Sequence, residues 1–151
     1  MKIQKISCLV FLILAAAFFV QAQTKPKEIV LKTASNPLKS SPAYAELLLQ
    51  KTERESQLEE LLIDKTEEYP KVREIRFEMN LIQKALDKML AVNASDSGKL
   101  TLALGKLMSR KIETDIDLWN LKKQYSDDHP EVKRAKRKME VFDKAIKEIL
   151  P

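Results

Sequence analysis

Residues 58–75 read LEELLIDKTEEYPKVREI, and residues 118–135 read LWNLKKQYSDDHPEVKRA. Both stretches carry a proline followed by x-Val at the same place, Pro70-x-Val72 and Pro130-x-Val132. A shift of 60 residues lays one on the other and extends without a gap from 43–91 onto 103–151, where 12 of 49 positions are identical. Leu47/Leu107, Glu53/Glu113, Leu58/Leu118, Leu61/Leu121, Met79/Met139, Ala85/Ala145 and Leu90/Leu150 are among them. Amphipathic helices resemble one another by chance, but prolines in register, each with its x-Val, point to a duplication.

Each unit reads as helix, proline break, helix. After the break the apolar positions are Val72, Ile75, Met79, Ile82, Leu86 and Met89, and in the second copy Val132, Ala135, Met139, Phe142, Ile146 and Ile149. Steps of three and four residues are the signature of a seam packed on other helices. Leu58-x-x-Leu61 and Leu118-x-x-Leu121-x-x-x-Tyr125 continue the pattern before the break, whereas Lys51 to Gln57 is entirely polar and is either exposed or a wet seam. Proline suits the first turn of a helix, where its missing N–H is not needed. Thr66-Glu67-Glu68 and Ser126-Asp127-Asp128 set hydroxyls and carboxylates where the orphan N–H groups of the next helix need acceptors.

The expected fold is all-α: two αα-hairpins, 43–92 and 99–151, joined by a loop at 93–98. They form either a four-helix bundle or an elongated coiled coil. The competing expectation is that Pro70 and Pro130 merely kink long helices. Charge favours the hairpin, because 43–70 holds three basic and eight acidic residues and 71–92 holds five basic and three acidic. Two glycines in 151 residues argue against a turn-rich β fold or a glycine-looped nucleotide site.

Residues 1–22 read as a secretory signal peptide. Lys2 and Lys5 precede the apolar run Ile6 to Val20, and Val20-Gln21-Ala22 forms a small-residue cleavage site, with cutting after Ala22. The run of 15 residues falls short of the roughly 20 that a membrane span needs. Cys8 lies inside it, so the mature chain is expected to hold no thiol, disulfide or cysteine metal site. Residues 23–42 carry Lys25, Lys27, Lys32 and Lys39 against Glu28, with Pro26, Pro37 and Pro42. They read as a flexible basic linker, or as a tether to an anionic envelope surface or glycan. The remainder, 43–151, has 21 residues of each sign.

Leu121-x-x-x-Tyr125-x-x-x-His129-Pro130-x-Val132 resembles the L-x3-Y-x3/4-H-P-x-V segment in the periplasmic coiled coils of polysaccharide chain-length determinants and related exopolysaccharide export proteins. In the first copy Leu61, Pro70 and Val72 match, while Lys65 stands for the tyrosine and Tyr69 for the histidine. The resemblance covers about thirty residues and implies an extracytoplasmic helical hairpin. The α/β domain, second membrane helix and kinase of those proteins have no counterpart in this sequence.

No catalytic, metal or cofactor constellation is expected. His129 is the sole histidine, which excludes the two Glu-x-x-His pairs of a di-metal bundle, and no G-x-S-x-G elbow occurs. His129 reads as a residue packing a helix-cap turn, and Trp119 and Tyr125 as core aromatics. Lys133, Arg134, Lys136, Arg137 and Lys138 form the densest basic run, either a polyanion site or cations paired with acidic faces and solvent. Nucleic acid is not an expected partner of an exported chain. These features point to an exported, non-enzymatic coiled-coil scaffold that binds a protein partner or itself, in cell-envelope or polysaccharide assembly. The alternative is a periplasmic holdase whose hairpins clamp clients through Met79, Met89, Met108 and Met139.

Overall fold

The computed structural model describes residues 36–151; the expected signal peptide and most of the expected linker lie outside the described residues. Four α-helices follow in order: α1 Pro42–Leu62, α2 Pro70–Leu90, α3 Leu102–Gln124 and α4 Pro130–Ile149, with a 3-10 helix at Ala94–Lys99 between α2 and α3. The fold is all-α, and both prolines open new helices at their first positions rather than kinking old ones. The helix starts repeat at the 60-residue spacing, Pro42/Leu102 and Pro70/Pro130.

The caps repeat as well. Ser41 Oγ accepts the N–H of Tyr44 and Thr101 Oγ1 that of Leu104, each at 3.3 Å. At both hairpin tips a backbone turn closes at 3.0 Å, from Tyr69 N–H to the Thr66 carbonyl and from His129 N–H to the Ser126 carbonyl. The expected side-chain capping by the residues before each proline is therefore corrected. Their carbonyls make the turn, and their carboxylates reach cations of the next helix: Glu67 pairs with Arg76, Asp128 with Lys133, and Asp127 with Lys136.

The folded unit reaches back past the expected linker boundary at 42. A turn at Asn36–Lys39 drives Leu38 into the core, and Ser41 donates to the Leu38 carbonyl at 2.7 Å. The expected loop 93–98 is largely the 3-10 turn, after which Leu100 is buried and its carbonyl accepts the Ala43 N–H at 3.2 Å. That bond ties the junction between the hairpins to the start of α1.

α3 is the central element, packing on α1, α2 and α4, while α4 packs extensively on α3 alone. The main core gathers Ala43 and Leu47 of α1, Ile82, Leu86 and Met89 of α2, Leu104, Met108 and Ile112 of α3, and Ile146 of α4. A second cluster at the α1–α2 tip holds Leu58, Val72 and Ile75. Burying each such aliphatic side chain contributes about 1.5–3 kcal/mol. Between the clusters lies a polar layer. Gln50 Nε2 donates to Glu78 Oε1 at 3.3 Å, and Arg54 Nε sits 2.7 Å from the same oxygen without directing its N–H at it. The polar stretch 51–57 is thus a wet seam at Arg54 and solvent-facing at Thr52, Glu53, Ser56 and Gln57.

Where the hairpins meet, a Cβ on Gly105 would stand 3.0 Å from the Ala43 Cα. α3 approaches α1 closely here, and a side chain would press on the Ala43 backbone and push the helices apart.

Candidate interaction surface

The two copies of the seam are buried very differently. In α2, the seam positions Val72, Ile75, Ile82, Leu86 and Met89 are buried and Met79 is half-buried; in α4, only Val132 and Ile146 are buried. Ala135, Met139, Phe142 and Ile149 are half-covered, and Val141 is 67% exposed. The cause is position. α2 lies against both α1 and α3, whereas α4 packs extensively on α3 alone and meets α2 only along the groove that Asp143 and Ile146 share with Leu81 and Ala85.

The α2–α3 junction shows what covers that side in the first repeat. Phe77 stacks on Trp119 with centroids 4.8 Å apart, Lys123 Nζ lies 3.0 Å from the Trp119 ring centroid, and Asn120 Nδ2 donates to Glu74 Oε2 at 2.9 Å. Glu74 is held below the usual carboxylate range, first by the hydrogen bond from Lys71, with Asn120 adding to it against partial burial. Leu81 and Ala85 of α2 share a groove with Met108 and Ile112 of α3, and Asp143 and Ile146 of α4 close its far side.

The motif residues divide between core and tip. Val72 and Val132 are fully buried, Pro70 and Pro130 open their helices, and Leu121 is half-buried in a groove between α3 and α4 with Arg134, Ala135 and Lys138. Tyr125 is not a core residue as expected. It is 40% exposed at the end of α3 and stacks on His129 with centroids 4.1 Å apart. His129 caps α4, its Nδ1 accepting the Glu131 N–H at 3.3 Å. Tyr69 occupies the same place in the first tip, with Lys65 Nζ 5.7 Å from its ring centroid. One stacking position is therefore kept in both tips while its chemistry changes. Trp119 is half-buried at the junction between hairpins rather than inside one.

The basic run of α4 splits in two. Lys133 pairs with Asp128 at 3.2 Å, Lys136 with Asp127 at 3.2 Å and Arg134 with Glu131 at 2.5 Å. The Asp127 carboxyl lies below its ordinary range because Lys122 and Lys136 both reach it. Arg137 and Lys138 have no ion-pair partner among the described residues and flank Val141 on the open side. The open face of α4 is thus an apolar strip, Val141 and Ala145 with Phe142 and Ile149 at its edge, carrying Arg134, Arg137 and Lys138 at one end. Sequence reading singled out the charges and the seam separately and missed Val141. Its equivalence to Leu81 under the 60-residue shift was the available signal.

Among the described residues no three metal-ligating side chains come together, and no helix is long and apolar enough to cross a membrane. Comparison with family models, with curated proteins and with solved structures finds no match to this chain.

Proposed function

We propose that this chain is an exported, non-enzymatic helical-hairpin scaffold that binds a protein partner through the open side of α4. The observation that carries the reading is the unequal burial of two seams with the same spacing, five buried seam positions in α2 against two in α4. A seam kept apolar at Ala135, Phe142 and Ile149 yet left half-covered, where Ile75, Ile82 and Met89 are buried, is the pattern of a helix awaiting a partner. Export rests on the leader-like residues 1–22, and a setting in envelope or polysaccharide assembly rests on the Tyr125-to-Val132 resemblance. The clamp alternative has less behind it. Met89 and Met108 are buried and Met79 and Met139 half-buried, which leaves few adaptable side chains on the surface.

A photo-crosslinking residue at position 142, compared with one at exposed Lys84 of α2, tests the reading in the cells that make the protein. A discrete adduct from 142 and none from 84 is expected. Equal labelling from both sites, or none from either, would sink it.

A further inference from the structure

The α4 face has a built-in template for its occupant. Within the chain, α2 offers Glu74, Phe77, Leu81 and Ala85 to α3, and α3 answers with Met108, Ile112, Trp119 and Asn120. Under the 60-residue repeat the first set becomes Arg134, Arg137, Val141 and Ala145 of α4, and the second becomes Leu48, Thr52, Glu59 and Glu60 of α1. Those four α1 residues are exposed, Leu48 at 44%. The chain therefore has an uncovered face at each end of its two-repeat stack, and the faces are related as the two sides of its own internal junction.

We propose that copies of this chain associate head to tail, α4 of one copy docking on α1 of the next as α2 docks on α3. The proposal rests on reading α4 as a docking face and names what docks there. Charge complementarity carries it. Shifting the internal contacts by one repeat turns Glu74–Asn120 into Arg134–Glu60, and Phe77–Trp119 into Arg137–Glu59. Both positions become oppositely charged pairs. The helices agree as wholes, since α1 holds two basic and five acidic residues and α4 seven basic and four acidic. The present Arg134–Glu131 pair is solvent-exposed and costs little to exchange. Val141 and Ala145 meet Thr52 and Leu48 beyond the charged pairs.

One difference from the template is steric. Ala45 stands where Gly105 makes its close approach, so the junction between copies sits a few tenths of an ångström wider. Long arginine and glutamate side chains bridge that gap. Helical repeats bury a continuous core only when several are stacked, and a head-to-tail contact extends two repeats into four or more. Such an interface makes a ring if its rotation closes and a filament if it does not.

The test is light scattering of the full chain across concentration and salt, with two charge-reversed variants, R134E/R137E and E59R/E60R. The mass of the native chain is expected to rise above 17.4 kDa with concentration and to fall with added salt. Each variant alone should associate at least about tenfold more weakly. Their equimolar mixture should regain the native mass, because each then meets its complement. That rescue also shows that both variants fold. Association through another surface, the apolar run 6–20 included, would be indifferent to both reversals and would overturn the proposal. So would a native chain that stays at monomer mass. The crosslinker at 142 then separates the two claims. An adduct with a foreign protein from a monomeric chain ends self-association and keeps the scaffold reading; no adduct from a monomeric chain ends both.

Discussion

A methyl group on Gly105 would lie 3.0 Å from the Ala43 Cα, 3.1 Å from the Glu46 Cβ and 3.2 Å from the Ala43 carbonyl oxygen. Two of those three atoms are backbone, so relief requires α1 and α3 to separate. Alanine would gain roughly 1 kcal/mol of helix propensity, against about 1–3 kcal/mol for forcing a packed contact apart. Gly105→Ala should therefore lose about 1 kcal/mol in urea denaturation, and Gly105→Val more. Gly98, with nothing within 4 Å, is the control: Gly98→Ala should stay within about 0.5 kcal/mol of the native chain. The helix-cap role of His129 was legible because the residue precedes Pro130. The exposure of Tyr125 was not, since an aromatic at helical spacing looks the same in a core and at a helix end. What decides is that α3 stops at Gln124, leaving the ring to stack on His129 outside the bundle.

At the scale of elements, proline register and the three-four spacing made both hairpins readable. They could not show which helix receives a second neighbour, because α2 and α4 carry the same spacing. The difference lies in what replaces what: Phe77 becomes Arg137, Glu78 becomes Lys138 and Leu81 becomes Val141, so the second copy is more basic where the first is covered. The consequence is measurable at one repeat position. Ile82 is fully buried, and Ile82→Ala should cost about 3 kcal/mol. Phe142, its half-covered equivalent, should cost about 1 kcal/mol as Phe142→Ala, despite the larger side chain removed. Equal losses would mean that α4 is as embedded as α2. The Arg54–Glu78 pair was beyond sequence reading, since nothing in the spacing matches residues on opposite arms of a hairpin. Replacing both by apolar residues, Arg54→Met with Glu78→Leu, should leave stability unchanged or higher, whereas Glu78→Leu alone should lower it.

For the whole molecule the acid response follows from three carboxylates. Glu74 is held low by Lys71 and then Asn120, Glu67 by Arg76, and Asp127 by Lys122 and Lys136. All are depressed relative to the unfolded chain. Their stabilisation is therefore complete above the unfolded carboxylate values and is lost as pH falls through the lower folded ones. Urea midpoints should be flat from pH 7 to about pH 5 and drop below about pH 4. Glu74 should account for most of the loss, because Glu67 and Asp127 lie in solvent, where screening weakens their pairs. Glu74→Gln should shrink the drop, and an unchanged midpoint at pH 3 would contradict the assignment.

α2 is embedded, while α4 keeps one side open, the side that the proposal gives to another chain. Amide hydrogen exchange reads this helix by helix. In dilute protein, the middle of α2, around Ile82, should exchange only with global unfolding, and the middle of α4, around Val141, many times faster. Raising the concentration should slow exchange in α4 and α1 and leave α2 unchanged. Equal protection of α2 and α4 in the dilute monomer would contradict the account, because it would mean that the four helices close on one another and no face is left open.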